Sequence, residues 1–401
     1  MKTNQQFIAT CPLYCEDLLK TEIEGFGGKN INTHHGAVHF EGNLLTAYGT
    51  CLWSRIANTV LYPLAGFDAA SRDELYEKLL NIPFFEHFSV EKTFAIRSHV
   101  SDTFFSNPNI ANLVVKDAIA DSFRNRMNKR PSVDPTRPDI RLTFYMKSEK
   151  ATISLELSSE SMYRRAYRTQ GVEAPLKENV AAAVLLRAEW EQISRHQGVL
   201  VDLMCGSGTF AIEALFIAAD IAPGLLRKSA RMKNWNGHDT ELWDSLVKEA
   251  EQRREAGLSK KLSKIIAFDN DPEAVDAAYQ NTLAAKVEKY IQIVPKDFRD
   301  AIAPKSEAKP KGLVVANPPY GERLGDKSTV GYIYQDIGRT LFDKYQNYNA
   351  AILTGDKELA RKVGLRANRL NTLYNGNIRC TLAHFNIREE NEFRMSGKNI
   401  Q

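Results

Sequence analysis

The sequence predicts an α/β protein whose C-terminal half forms a mostly parallel sheet that ends in an antiparallel C-terminal hairpin. Five short apolar segments alternate there with helix-like segments, and they read GVLVDLM, KIIAFDN, IQIVPKD, GLVVAN and NAAILTG. Apolar strands separated by helices are typical of a parallel sheet that is buried on both faces. The dipeptide Asn375-Gly376, within LNTLYNGNIRCTLAHFNI, favours a tight hairpin turn, so we expect an antiparallel pair to finish the sheet.

Small α+β units are predicted for the N-terminal part. FIATC and GAVHFEG have the character of strands, CEDLLKTEIEGFG that of an amphipathic helix, and IRLTFYMKS with ATISLELS that of a hairpin around SEK. LKENVAAAVLLRAEWEQIS has helical spacing throughout and is predicted to be one helix. We therefore divide the chain into an α+β segment (1–58), a second α+β unit (59–160), a basic linker (161–178) and the α/β domain (179–401).

Composition argues against a membrane or secreted protein. The chain has 401 residues, 43% hydrophobic and 25% charged, and no apolar run reaches the ~18 residues of a membrane-spanning helix. Its five cysteines are scattered, which does not suit a disulfide framework, and no Cys/His group has the spacing of a zinc site. We expect a protein of the reducing cytoplasm with no metal centre.

The net charge of +4 is concentrated in two clusters that suit phosphate contact and base stacking. The first cluster contains Arg124, Arg126, Lys129 and Arg130; the second contains Arg164, Arg165 and Arg168, beside Tyr163 and Tyr167. Both are predicted to bind nucleic acid. The alternative for each cluster is a solvated loop or linker.

A candidate ligand site begins in VDLMCGSGTFAIEAL. A buried strand ends there at Asp202, and Gly206 with Gly208 make a tight turn into a helix, whose N-terminus offers free N–H groups. A nicotinamide site would need a third glycine and an acid ~20 residues further on, but no matching glycine follows Phe210, and the next strand-end acids, Asp269 and Asp271, lie ~60 residues along. No phosphate-binding loop of the ATPase type is present either. A plain strand-to-helix turn without a ligand is the alternative.

Acidic residues end the next two strands as well. Asp269, in IIAFDNDPEAV, can accept both hydroxyls of a ribose, and Asp297, in VPKDFRD, can accept from an adenine amino group with Phe298 beside the ring. Helix capping or a solvated turn is the alternative for each carboxylate. Together with the glycine turn, these residues describe a site for an adenosine.

The stretch VVANPPYGERLG supplies the acceptor side of the predicted reaction. Two adjacent prolines stop the strand and fix the backbone, so Asn317 is held rigidly at the strand end. The side-chain carbonyl of Asn317 and the backbone carbonyl of Pro318 can hold an aromatic amino group by its hydrogens, while Tyr320 stacks on the ring. This arrangement favours in-line methyl transfer, catalysed by orientation, and the alternative is a proline-rich turn with no role.

These motifs resemble the THUMP-containing RNA methylases, a family whose members include enzymes that make N2-methylguanosine in 23S ribosomal RNA. DLMCGSGTFAIEAL, FDNDP and NPPYGERLG carry the resemblance, and FIATCPLYCEDLLKTEI and GAVHFEG extend it less specifically to the N-terminus. It implies a Rossmann-like class I S-adenosylmethionine-dependent methyltransferase domain, preceded by ferredoxin-like and THUMP RNA-binding units.

The resemblance also implies a cofactor site for S-adenosyl-L-methionine. Its residues would be Asp202, Cys205, Gly206, Ser207, Gly208, Phe210, Asp269, Asp297, Phe298 and Asn317, with Asn317, Pro318 and Tyr320 at the target base. Cys205 is interpreted as a small residue that fits the turn and not as a nucleophile. Lys177 and Glu178 are weaker candidates for a lid over the cofactor, and His34 and His35 are expected at the surface.

The leading hypothesis is therefore a methyltransferase acting on the N2 amino group of a guanine in 23S ribosomal RNA, free or in a precursor particle. An adenine-N6 DNA methylase, a protein glutamine methylase and a non-catalytic ribosome-assembly protein stay open. Because some members carry a second methyltransferase domain that would not fit into this chain, we expect one methylation and not two. The oligomeric state is left open.

Overall fold

Two seven-stranded sheets organise the chain in the computed structural model. The structure describes residues 5–158, 161–168, 176–227, 231–320 and 327–388. Part of the predicted linker (169–175) and the end of the motif that follows Tyr320 (321–326) lie outside the described residues.

The N-terminal sheet contains both predicted α+β units, in the strand order β2-β3-β1-β4-β7-β6-β5. Its strands are β1 (Gln5–Thr10), β2 (Lys29–His34), β3 (Ala37–Gly42), β4 (Thr59–Asp68), β5 (Phe94–Ser101), β6 (Ile140–Lys147) and β7 (Lys150–Glu156). The long β4 joins the units, because its start pairs with β1 and the rest pairs with β7. Among the named strands of this sheet, β5 and β6 pair in parallel and the other pairs are antiparallel.

Four helices cover this sheet, and polar caps mark where three of them begin. The helices are α1 (Glu16–Gly25), α2 (Leu44–Trp53), α3 (Arg72–Leu80) and α4 (Pro108–Met127). The side chains of Asn43, Ser71 and Asn107 accept hydrogen bonds from the first free backbone N–H groups of α2, α3 and α4.

The C-terminal sheet has the strand order β10-β9-β8-β11-β12-β14-β13 and contains the candidate site at one edge. Its strands are β8 (Val199–Asp202), β9 (Ile265–Asp269), β10 (Ile291–Pro295), β11 (Gly312–Ala316), β12 (Asn349–Thr354), β13 (Arg369–Asn375) and β14 (Ile378–Asn386). The first five run parallel, and β14 and β13 form the antiparallel hairpin. The predicted fold class is confirmed.

The helices of this domain include α5 (Glu178–Arg187), α6 (Trp190–Arg195), α7 (Thr209–Ala218), α8 (Thr240–Leu258), α9 (Pro272–Ala284), α10 (Lys327–Lys344) and α11 (Lys357–Lys362). The prediction of a single helix before β8 was wrong. Glu189 adopts the left-handed conformation, with φ +61°, between α5 and α6. The break lets Trp190 become fully buried, where its indole N–H donates to the Ala214 carbonyl at 2.8 Å.

A segment of the C-terminal domain packs on the N-terminal sheet and ties the two halves together. Between α7 and α8 the chain forms short 3-10 turns over Pro223–Leu226 and Arg231–Asn234. The Asn234 side chain donates to the Asp139 carbonyl at 3.2 Å and accepts from Lys92 Nζ at 2.9 Å. Tyr48 and His238 are hydrogen-bonded at 2.9 Å in the same contact.

Candidate active site

The residues predicted at the strand ends lie along one edge of the C-terminal sheet. Asp202 is the last residue of β8 and Asp269 the last of β9, while Asp297 follows β10 and Asn317 follows β11. Because β10, β9, β8 and β11 are consecutive neighbours in the sheet, the structure brings these four residues together. This is the strand-end crevice where open α/β sheets bind ligands.

The glycine turn is fixed to the neighbouring strand by its own backbone. The Gly206 N–H donates to Asp269 Oδ2 at 2.8 Å, and the Cys205 N–H donates to the Phe268 carbonyl at 2.8 Å. Gly206 and Gly208 have φ values of +51° and +79°, which favour glycine. A Cβ built at Gly206 would meet open space, so the turn leaves room for a ligand against its backbone.

Asp202 carries a buried carboxylate without a counter-charge. Asp202 is 0% exposed, and neither of its carboxylate oxygens has a well-formed hydrogen bond within the described residues. The Met204 N–H favours the ionised form of the carboxylate but does not outweigh its burial. Burial raises its pKa well above the usual range, and Asp269 adds to the rise. Because such a group is costly when unpaired, its position fits a ligand that brings a positively charged hydrogen-bond donor.

Asp269 and Asp297 are both partly engaged with the protein. Asp269 uses Oδ2 to hold Gly206 and Oδ1 to accept from the Asp271 N–H at 3.1 Å. Asp297 forms an ion pair with Arg299 at 2.7 Å and accepts from Asn270 Nδ2 at 3.2 Å. The hydrogen bond from Arg299 holds the pKa of Asp297 below its usual value, so this carboxylate is an acceptor at neutral pH.

Asn317 presents a second unpartnered acceptor at the same edge. Its Oδ1 atom is buried and has no hydrogen-bond partner in the described part of the chain. Tyr334 supports the backbone that follows Asn317. The Tyr334 hydroxyl donates to Thr354 Oγ1 at 2.7 Å and lies 3.4 Å from the Pro319 carbonyl oxygen. A rigid, unused amide oxygen is the feature that an orienting acceptor for an amino group requires.

Tyr320 lies more deeply than its predicted stacking role suggests. It is 8% exposed, and its hydroxyl lies 3.9 Å from Cys380 Sγ on the C-terminal hairpin. Its ring packs so closely against Gly355 that a Cβ built there would approach the ring to 2.5 Å. Pro318 is buried as well. Stacking of Tyr320 on a target base stays a prediction.

Cys205, Phe210 and Phe298 are also buried, at 7%, 3% and 6% exposure. Desolvation, and then the nearby Asp202 and Asp269 carboxylates, raise the pKa of the Cys205 thiol well above its usual value. A thiol in this environment is not a thiolate at neutral pH, which supports its interpretation as a small residue that fits the turn.

The prediction that Arg165 contacts nucleic acid was wrong. Its side chain is 0% exposed and pairs with the equally buried Glu213 at 3.3 Å. It also donates to the backbone carbonyls of Met162 and Arg55, both at 2.6 Å. With Tyr167 fully buried beside it, the described part of the predicted linker packs between the two domains and is not a solvated connection.

Arg168 is likewise turned inward, toward the glycine turn. Its Nη2 atom donates to Thr209 Oγ1 at 3.0 Å and to the Leu176 carbonyl at 2.8 Å, and its Nε lies 3.5 Å from Glu178 Oε1. The burial of Glu178 raises the pKa of its carboxyl. The side chain is therefore better placed to support the ligand crevice than to contact RNA.

A supporting residue that the sequence did not reveal is Asn281. It is fully buried on α9, and its Nδ2 donates to the Ser207 carbonyl at 3.0 Å, so it fixes the glycine turn from the far side. Its only sequence signal is a polar residue on the apolar face of a helix. That signal does not reveal its partner 74 positions earlier in the chain.

The first basic cluster remains available at the surface. Arg124, Arg126, Lys129 and Arg130 are exposed at and beyond the end of α4. Arg124 is paired with Asp121 at 3.0 Å, and the Arg126 guanidinium lies 5.7 Å from the ring centre of Phe85. His34 and His35 are exposed as expected, and so is Arg164.

Within the described residues, no helix has the length and apolar character needed to cross a membrane. The same residues contain no group of three or more His, Cys, Asp or Glu side chains arranged to hold a metal ion.

Models of three protein families match successive parts of the chain. The RlmL ferredoxin-like domain matches residues 6–61, the THUMP domain residues 69–156, and the RMKL-like methyltransferase domain residues 165–384. The last match alone covers more than half of the 401 residues. The resemblance on which the sequence predictions rested is confirmed.

Known relatives agree with these matches. The chain is 42% identical, over 97% of its length, to ribosomal RNA large subunit methyltransferase K/L of Syntrophotalea carbinolica. It covers 54% of that relative, and it spans about half the length of the curated relatives it matches.

Two solved structures superpose on nearly the whole chain. SMU.472, crystallised with SAH (S-adenosyl-L-homocysteine), has a TM-score of 0.84 at 26% identity and covers 97% of this chain and 99% of its own. A protein from Listeria monocytogenes, described as a predicted N6-adenine-specific DNA methylase, has a TM-score of 0.82 at 26% identity and covers 96% of both chains.

Proposed function

This chain belongs to the RMKL-like methyltransferase family, and from that premise we propose that it methylates the exocyclic N2 amino group of a guanine in 23S ribosomal RNA. The observation that carries the proposal is a pair of buried acceptors on neighbouring strands that have no hydrogen-bond partner of good geometry among the described residues. Asp202 ends β8 and Asn317 follows β11, which pairs with β8. Curated relatives named as ribosomal RNA large subunit methyltransferases support the choice of RNA.

S-adenosylmethionine fits the crevice at four points of this chain. The Asp202 carboxylate matches the positively charged amino group of its methionine part, and the open backbone at Gly206 leaves room for the chain that follows. Asp269 stands at the next strand end for the ribose, and Asp297 at the one after that for the adenine. When bound, S-adenosylmethionine supplies a methyl group on a sulfonium sulfur, which an amine lone pair can accept.

The protein's own contribution is orientation. Asn317 Oδ1 accepts a hydrogen bond from the target amino group, which aims the lone pair of the nitrogen at the methyl donor. The rigidity of Asn317 comes from the proline backbone that follows it and from the contact between the Tyr334 hydroxyl and the Pro319 carbonyl oxygen. Extrusion of the base costs a few kcal/mol, and least in loops, so an unpaired guanine is the expected target.

The exposed basic end of α4 suits the phosphates of structured RNA, either free or in a precursor particle in the cytoplasm. An adenine-N6 DNA methylase is the second candidate, because the Listeria protein carries that description and an Asn317-type site serves any aromatic amine. Target selection therefore needs a direct measurement.

The test is methyl transfer from labelled S-adenosylmethionine, with undermodified 23S RNA, DNA free of methyladenine and a cell protein extract offered separately. Labelled products are digested to nucleosides or amino acids. Label in N2-methylguanosine is the expected result. Label in DNA adenine or in protein glutamine would overturn the choice of substrate and leave the active site intact.

Two variants make the experiment specific to the site. Asn317→Ala should abolish the label, whereas Asn109→Ala, at an exposed position in the first turn of α4, should leave it unchanged. If no substrate is labelled although the cofactor binds, the same assay on a precursor particle distinguishes a particle-dependent enzyme from a binding protein.

A further inference from the structure

Aromatic and basic side chains, some exposed and some half-buried, surround the turn of the C-terminal hairpin, beside the acceptor site. In the antiparallel pair, Thr381 of β14 lies opposite Thr354, the last residue of β12. The turn before β14 therefore extends beyond the sheet edge at which Asn317 lies. We call the side chains of Tyr14, Tyr163, Lys177, Tyr374 and Arg379 the hairpin rim.

Direct contacts connect this turn to the site on one side and to the cofactor crevice on the other. Tyr320 and Ile378 both pack against Gly355, where a built Cβ would lie 2.5 Å and 3.3 Å from them. On the other side, Asn375 Oδ1 accepts from the Lys177 N–H at 3.1 Å, immediately before Glu178.

Two aromatic rings of the rim stack on each other, that of Tyr14 exposed and that of Tyr374 half-buried. Tyr14 and Tyr374 stack with ring centres 6.0 Å apart and planes 15° from parallel, and Tyr14 is 49% exposed. Arg187 donates to the Tyr14 carbonyl at 2.9 Å and so holds its left-handed backbone, with φ +64°. Rigid rings of this kind can stack on any base.

Two acids near the rim are paired with arginines that lie outside it. Asp17 is paired with Arg187 at 2.6 Å, and Glu178 lies 3.5 Å from Arg168. Arg379 is exposed opposite Tyr374 in the hairpin, and Lys177 Nζ lies 4.7 Å from the ring centre of Tyr163. Positive charge interleaved with aromatic rings suits a single-stranded nucleic acid.

We propose that the hairpin rim binds the single-stranded RNA next to the target nucleotide, with neighbouring bases on Tyr14 and Tyr374 and phosphates at Lys177 and Arg379. The inference rests on the proposed function and deepens it. Stacking of the neighbouring bases on the rim would offset part of the stacking that is lost when the target base is extruded.

The test compares Tyr14→Ala, Tyr374→Ala and Tyr374→Phe with the wild type. The matched control is Tyr279→Ala, a residue with the same 49% exposure on α9, which packs on β9 and β10 at the opposite end of the sheet. KM and kcat are measured with undermodified 23S RNA, the Kd for S-adenosylmethionine by calorimetry, and RNA affinity by anisotropy of a labelled single-stranded RNA.

We expect each alanine variant of the rim to raise KM and the Kd for RNA about 10-fold. Tyr374→Phe keeps the ring and should stay within about twofold of the wild type, as should the control. Arg379→Gln should reduce the slope of log K against log salt by about 0.7, the effect of one phosphate contact on a single strand.

An unchanged KM and Kd for RNA in the two alanine variants would overturn the proposal. An equal loss of affinity for S-adenosylmethionine would also overturn it, because it would assign the Tyr14–Tyr374 pair to domain packing. If wild-type protein does not methylate RNA, the proposed function fails on its own, and the anisotropy measurement still decides whether the rim binds a single strand.

Discussion

Removal of the Glu213 carboxylate would leave the Arg165 guanidinium buried without its counter-charge. Both side chains are 0% exposed, with Arg165 Nε 3.3 Å from Glu213 Oε1. The same oxygen accepts from the Tyr167 hydroxyl at 3.2 Å, so Glu213→Ala also deprives a second buried donor of its partner. Arg165 cannot reach water from this position, since it lies between the N-terminal sheet and α7.

Loss of one partner of a buried ion pair costs about 3–5 kcal/mol of unfolding free energy. Arg165 keeps two hydrogen bonds to carbonyls, at 2.6 Å to Met162 and 2.6 Å to Arg55, which places the expected loss near the lower end, at about 3 kcal/mol. Glu213→Gln keeps an acceptor of the same shape for Arg165 and Tyr167, so its loss should be about half as large.

The assay is urea unfolding followed by circular dichroism and tryptophan fluorescence. With a slope of roughly 3 kcal/mol per molar urea, Glu213→Ala should lower the midpoint by about 1 M. The control is Glu249→Ala, which removes an exposed carboxylate 3.7 Å from Arg253, and exposed pairs contribute about 0–1 kcal/mol. Equal midpoint shifts for Glu213→Ala and Glu249→Ala would refute the reasoning.

Three further predictions concern the candidate site. Asn317→Ala should abolish methyl transfer and leave the Kd for S-adenosylmethionine within about twofold, whereas Asp269→Ala should weaken cofactor binding first; calorimetry with a turnover assay separates the two. Burial raises the pKa of Asp202, so protonation of this carboxyl stabilises the folded protein at acidic pH. This contribution is lost as the pH rises through that pKa. Without cofactor, the contribution of Asp202 to the unfolding free energy should therefore fall from acid to alkaline pH, so the stability of the wild type relative to Asp202→Asn should decrease over that range in thermal scans. Binding of cofactor to the wild type should release protons, measurable by calorimetry in two buffers. Gly208→Ala should destabilise by about 1–2 kcal/mol, because φ is +79° and Ala278 lies 3.2 Å from the new Cβ.

The strand ends of the site could be predicted because each is marked locally. An apolar run followed by an acid, or by Asn317-Pro318, needs no knowledge of the rest of the chain. The hairpin at Asn375-Gly376 is marked in the same way. Parallel pairing then brings the strand ends to one edge of the sheet, and the strand order determines which of the marked residues become neighbours there.

The inward-facing arginines could not be predicted, because their partners are distant in sequence. Arg165 and Arg168 lie in a polar, basic segment that is typical of an exposed linker, and the counter-charge of Arg165 comes from Glu213, 48 positions later. The strand β2 was missed for a different reason. Its residues Lys29–His34 are mostly exposed at a sheet edge, so no apolar alternation marks them.

Selection of one amino group must come from the surfaces that present it to the site. The proposed acceptor at Asn317 would suit any planar aromatic amine, and proteins similar to this chain carry descriptions as different as ribosomal RNA methyltransferase and DNA methylase. The presenting surfaces are held relative to that site by contacts between the domains. Asn179 Nδ2 donates to the Ile56 carbonyl at 3.1 Å, and Asn234 connects to Asp139 at 3.2 Å. We infer that these contacts fix the position of the basic end of α4 relative to Asn317, so that the proposed target would be selected by where the bound RNA places it and not by its ring alone.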